Sequence, residues 1–381
     1  MRRLSAARLS IALIALALTA RAGTRAAYAD QTLRYDLRGE LGGEYDSNVH
    51  RTEIIANTAA NPPVVASPLA RAALSGHLAD VVADRDQLTL SATLAGKLFA
   101  AARDEDVALA SSSARWRRAL GADTGLAAQA VYYEAFQRAS SDPAAADNRR
   151  DFRSVTPALQ LDHRITDNTV LVAGAGYRWF VFKSDLDFDF QGPLATLDVR
   201  WAGESADGDT EWELTGGAGV EWRAFAGAAT TTAVPPPPRR DTFVIGHLDL
   251  TRVGKLLLGA GYALQRNDSN SYGDALTRHV FTARLATPLP LACYLAARAE
   301  LILALYRDTV TLGMAEATGK LLSIDDENRS SLRIDVSRAL TDRLLVLARY
   351  TLYANEIGVS APVASYWRQT VLLTIAFTYE N

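Results

Sequence analysis

The side chains able to do chemistry are spread thinly along this chain. Its five histidines, His50, His77, His163, His247 and His279, stand far apart. None joins a cysteine or carboxylate at zinc-ligand spacing. Cys293 is the only cysteine, so it forms no internal disulfide. A histidine meeting a serine across two segments would make a hydrolase, because that relationship is spatial and not sequential. An enzyme is therefore the third-ranked class. Asp185, Asp187 and Asp189 carry oxygens of the kind calcium takes, but they alternate with Leu186, Phe188 and Phe190. Alternation spreads carboxylates along an extended segment and predicts a solvated strand end. Glycine pairs at Gly42 and Gly43, Gly174 and Gly176, Gly217 and Gly219, and Gly259 and Gly261 lack the following helix that a phosphate-cradling loop needs. They predict places where strands bend or backbones approach closely. The expectation is no catalytic group, no metal and no cofactor.

The informative chemistry is charge set on a period of two. From Gln31 to Asn48, Leu33, Tyr35, Leu37, Leu41 and Tyr45 share one parity, while Arg34, Asp36, Arg38, Glu40 and Glu44 share the other. Such a segment suits a tilted strand with apolar side chains toward lipid and charged ones toward a wet interior. On that reading Arg38, Glu40, Arg284, Arg298, Glu300, Arg333, Asp335 and Arg349 line the wall around the meeting of first and last strands. Asp198, Arg200, Glu211, Glu213 and Arg223 line another wall. Two readings compete. Paired charges keep a wide wet lumen ordered, or rings of charge select permeants at a constriction. On the second, Arg38, Arg284, Arg298, Arg333 and Arg349 outnumber Glu40, Glu300 and Asp335, and weak anion preference follows.

Positioning those charges takes many strands. Met1 to Ala29 reads as a secretory signal: Arg2, Arg3 and Arg8, then the apolar run Leu9 to Ala20, then Ala27-Tyr28-Ala29 before Asp30. Ala20-Arg21-Ala22 is a second candidate cleavage site. The apolar run is too short to cross a bilayer as a helix, which takes about 20 residues. Losing the signal's arginines takes the net charge from −3 to −8, mild acidity that argues against a nucleic-acid binder. Residues 30–381 then read as one domain of about sixteen alternating segments, with fourteen to eighteen as the range. The predicted class is all-β, a single antiparallel transmembrane barrel.

The connections agree, being mostly long and short by turns. Asp84-Arg85-Asp86, Leu120 to Thr124 and Ile165 to Asn168 are short, whereas Val49 to Pro68, Arg138 to Arg150 and Arg307 to Arg329 are long. Tight periplasmic turns and longer outer loops produce that asymmetry. Ala101 to Glu105 and Ala202 to Thr210 break it. Pro235 to Pro238 predict a stiff extended piece of outer loop beside Arg239 and Arg240. Trp116, Trp179, Trp201, Trp222 and Trp367 fall near strand ends, as in an interface girdle. Trp179, Trp201 and Trp222 share parity with Leu171, Leu197 and Leu214 and so face lipid. A sugar-binding slide would need its aromatics on the inner parity.

Signal, alternation, loop asymmetry and the last strand Val371 to Tyr379 together resemble bacterial outer-membrane β-barrel proteins, porin-like in kind. The final strand is similar to their C-terminal assembly signal, with Glu380 and Asn381 following Tyr379 as a departure. Tyr45-Asp46-Ser47-Asn48 resembles the first-strand exit of such barrels, including those of the surface-lipoprotein assembly modifier type. Those modifiers carry a helical-repeat domain for which this chain has no room. Physically, Asp, Ser and Asn there end a strand through side-chain-to-backbone turns. The resemblance implies a Gram-negative outer membrane, with outer-membrane lipid and the barrel-assembly machinery as partners. It implies a channel for small hydrophilic solutes; the alternative is an export conduit for a polysaccharide or surface protein working with periplasmic partners. The oligomeric state is not set by sequence.

Overall fold

The structure is a computed structural model, and it describes residues 33–52, 54–55, 63–138, 151–183, 186–205, 209–307, 330–354, 357–358, 364–365 and 367–380. The signal segment, Asp185 and most of the 307–329 loop lie outside the described residues. Each alternating segment of the sequence forms one long strand. In chain order they are β1 (Arg34–Asp46), β3 (Ser67–Ala83), β4 (Asp86–Phe99), β5 (Val107–Ala119), β6 (Thr124–Gln137), β7 (Phe152–Thr166), β8 (Thr169–Phe182) and β9 (Phe190–Glu204). The second half adds β10 (Glu211–Ala228), β11 (Pro238–Val253), β12 (Leu257–Ser269), β13 (Leu276–Leu289), β14 (Cys293–Tyr306), β15 (Ser330–Ala339), β16 (Leu344–Ala354) and β19 (Trp367–Glu380). Three two-residue strands lie in the outer loops. β2 (Ile54–Ile55) pairs with β18 (Ala364–Ser365), and β17 (Ile357–Gly358) runs beside β14.

Among the sixteen long strands, neighbours in sequence are neighbours in the sheet, all antiparallel, and β1 pairs with both β3 and β19. The ring is closed at sixteen strands, with no free edge. In the closing pair Leu37 faces Tyr379 and Asp46 faces Thr370. Gly42 makes the approach possible there: a Cβ on it would clash with the Leu373 carbonyl oxygen. The Thr374 hydroxyl then donates to the Leu41 carbonyl at 2.9 Å across the same seam.

Alternation sorts the side chains by solvent. Along β19, Val371, Leu373, Ile375 and Phe377 are exposed on the outside, while Leu372, Thr374 and Ala376 between them are buried on the inside. Mixed parity would put charges into lipid, so the period of two is what the bilayer demands. The two irregular connections fit the same sidedness. The short one after β4 holds a 3-10 turn at Arg103–Glu105, whose flanking Asp106 accepts the Phe99 N–H at 2.7 Å. The long one after β9 shrinks to residues 205–210, because β9 runs on to Glu204. After β1, Asp46 accepts the Asn48 N–H at 3.0 Å, and Asn48 accepts the Thr52 N–H at 2.9 Å. This turn drives Val49 inward, where it is fully buried with Leu69, Phe99 and Ala102. The start of the first outer loop thus packs against the inner side of β3 and β4.

Candidate permeation pathway

The inner wall carries its charges in rows fixed by register. Arg284 on β13 stands opposite Arg298 on β14, which stands opposite Arg333 on β15. Like charges directly opposite repel, and each arginine of the row holds a carboxylate. Arg298 bonds Glu300 at 2.8 Å, Arg333 bonds Asp335 at 2.8 Å, and Arg284 bonds Asp249 on β11. Arg349 on β16 reaches the same Asp335 at 2.7 Å. Arg38 and Glu40 on β1 pair at 2.8 Å. Asp198 lies 3.4 Å from His247, and Glu213 is exposed on β10 between Ala202 and Thr251. Asp249 was not among the residues singled out from sequence. It sits on the inner parity of β11, but its link to Arg284 crosses two strand boundaries.

Arg200 belongs to a different feature. Together with Arg115, Arg117, Gln160, Asp162 and Val172 it lines a recess of about 330 Å3 in the wall. The recess lies toward the short-turn ends of β5 and β7. Its floor is β6, whose inner residues there are Gly125 and Ala127, facing Asp162 and Gln160 on β7. Arg117 bonds Asp162 twice, at 2.6 and 3.2 Å. That bridge lies over Gly125, where a Cβ would stand 2.5 Å from the Arg117 Nη2. Arg115 Nε is buried without a hydrogen-bond partner. Arg115 and Arg117 flank lipid-facing Trp116, so parity alone could have flagged them.

Toward the outer mouth the inner charges are buried. Arg368 bonds Asp46 at 2.9 and 2.5 Å. Glu44 takes Lys97 at 3.1 Å and has Arg71 at 3.7 Å. Across the barrel Glu221 joins Arg178 at 3.1 Å and Arg223 at 2.8 Å, while Asp241 joins Arg239. Arg239 also reaches Asp274 at 3.0 Å in the loop after β12. Burial pushes the Asp274 carboxyl above its usual range, with Arg239 pulling the other way. Between these groups Phe152, Phe180, Phe190 and Phe225 stack along the inner parity of β7 to β10, with centroids 4.9–5.4 Å apart. Arg223 and Arg239 lie over rings of this row. Phe152, Phe190 and Phe225 are buried, so the row packs the wall and does not offer a sugar an open track.

The outer surface completes the assignment. Leu41, Leu159, Leu197 and Leu248 are exposed on it, as are Trp179, Trp222 and Trp367 toward the loops and Trp116 and Trp201 toward the turns. Apolar side chains exposed all round a closed ring, between two levels of tryptophan, are stable only in a bilayer. This is a transmembrane β-barrel. Outward apolarity is interrupted near the rim by Arg266 with Asp268 and by Glu134, which is bonded by Tyr132 at 2.5 Å, Arg153 at 2.9 Å and Lys183 at 2.6 Å.

No protein-family model matches the chain, and no curated protein does. Among solved structures, outer-membrane expressed OmpT of Vibrio cholerae is 13% identical, with 92% of this chain and 99% of that one covered and a TM-score of 0.45. OpdQ of Pseudomonas aeruginosa is 9% identical over 92% and 98% of the two chains, with a TM-score of 0.44. OccK1 (OpdK) of the same organism is 10% identical over 91% and 99%, also at 0.44. Likeness at this level transfers no residue role to this chain.

Proposed function

We propose that this barrel is a channel through which small hydrophilic solutes cross the outer membrane, with weak preference for anions. The observation behind the reading is that the charges of the lower wall are wet. Arg298 keeps 59% of its side chain exposed and Arg38 44%, although both point into the barrel. Charges that stay hydrated inside a ring of sixteen strands line an aqueous space. Arg38, Arg284, Arg298, Arg333 and Arg349 face Glu40, Glu300, Asp335 and Asp249, leaving one arginine in excess. Arginine stays protonated at any workable pH, so the surplus is permanent, and salt screens it over about 8 Å at physiological strength.

Planar-bilayer recordings test both parts. Stepwise conductance is expected, with a reversal potential under a KCl gradient that favours chloride and fades as salt rises. Absence of conductance by the folded protein would overturn the channel. Clear cation preference, or unchanged selectivity after Arg298→Glu and Arg349→Glu, would overturn charge selection at this wall and leave the channel standing.

A further inference from the structure

The recess floored by β6 differs from the rest of the lower wall in its charge balance. Elsewhere each arginine row is nearly neutralised by carboxylates. Here Arg115, Arg117 and Arg200 converge on one cavity with a single carboxylate, Asp162, which is already bonded to Arg117. Both Arg115 and Arg200 act on Asp162 through space. The missing side chains of Gly125 and Ala127 make the hollow, so its shape comes from the strand positions themselves.

We infer that this recess is a binding subsite for a small phosphate-bearing solute; the inference rests on the channel reading, and it names one class of permeant. Charge decides for phosphate over a monocarboxylate. The recess carries a surplus of two positive charges, and a phosphate monoester carries about −1.5 to −2 at neutral pH. Guanidinium forks match phosphate oxygens in pairs of parallel hydrogen bonds. Gln160 adds an amide, and Val172 gives an apolar side for the carbon skeleton of an organic phosphate. A volume of about 330 Å3 is that of a site for a small metabolite and excludes a polymer coil.

Calorimetric titration of inorganic phosphate into the full-length folded protein in detergent tests the site without requiring conduction. One phosphate per chain is expected. The Arg115→Gln, Arg200→Gln double variant should bind at least about tenfold more weakly, whereas Arg240→Gln, exposed at the outer-loop end of β11, should bind like the wild type. Asp162→Asn should bind phosphate more tightly, a gain that misfolding cannot imitate. Heat-modifiable gel migration confirms that each variant is folded. No binding heat, equal affinity in the double variant, unchanged or weaker binding in Asp162→Asn, or acetate bound as tightly as phosphate would each overturn the subsite. Conductance in bilayers together with a silent titration defeats the subsite alone. Phosphate binding without conductance defeats the channel and keeps the site.

Discussion

The outer mouth and the lower wall of this barrel use the same residue types to opposite ends. At the mouth, Arg368 and Asp46 are 3% and 0% exposed and locked to each other, and the first loop packs Val49 against Leu69 and Phe99 beside them. On the lower wall Arg298 also bonds its carboxylate, Glu300 at 2.8 Å, yet Arg298 is mostly in water. The buried pair is joined at two points and the wet one at a single point, and their surroundings differ. An ion pair in water contributes little, because solvent competes for both partners. A buried one cannot lose a partner without leaving an unpaired charge in low dielectric. The mouth therefore uses charge as structure, and the lower wall is free to use it on passing solutes.

The contrast predicts a descending series of effects. Arg368→Ala should destabilise the barrel most, by about 3–5 kcal/mol, because Asp46 would be left buried and unpaired. Urea unfolding followed by gel migration measures it, and a loss under about 1 kcal/mol would erase the distinction between the two regions. Gly125→Ala comes next. Its Cβ would stand 2.5 Å from the Arg117 guanidinium and 2.7 Å from the Asp162 carboxylate, displacing two flexible side-chain ends and not backbone. A stability loss of about 1 kcal/mol is expected, with weaker phosphate binding.

A smaller effect depends on pH. The folded-state pKa of Asp274 is raised by burial, so the folded mouth favours its protonated form. The stability from this group is fully present below the ordinary carboxylate value and is lost as pH rises through the raised one. Acidification through that window should tighten the mouth by less than about 1 kcal/mol, seen as slower proteolysis of outer loops. Asp274→Asn should flatten the profile; an unchanged profile would remove this group from the account. Last, Arg298→Ala should leave stability within about 0.5 kcal/mol of wild type, while reducing any anion preference in bilayers.

Much of the architecture was legible because a barrel wall records two solvents in one strand. Leu41 and Glu40, or Leu373 and Thr374, declare their faces by type alone, whatever the partner strand. The turn at Asp46 to Asn48 was legible too, since those side chains bond backbone within a few residues. The Phe152, Phe180, Phe190 and Phe225 row was not, although each residue lies on the inner parity. Stacking depends on which residues face one another across β7 to β10, and parity carries no register. Glu134, Arg153 and Lys183 defied the parity rule because three strand ends near the rim bring them together to satisfy one another.

By itself the sequence set a strand count near sixteen, the long and short connections apart from two, and the face that most residues present, since the alternation and the loop lengths are local properties of the chain. Tertiary structure alone decided which charges meet. Arg284 finds Asp249 across two strand boundaries, and Arg200 joins Arg115 across four. Those meetings follow from register and from closure of the ring, where one residue of slip would reverse every face. The same cause places the recess. Gly125 and Ala127 are merely small in sequence, and they become a floor only when their neighbours on β5 and β7 are long and charged.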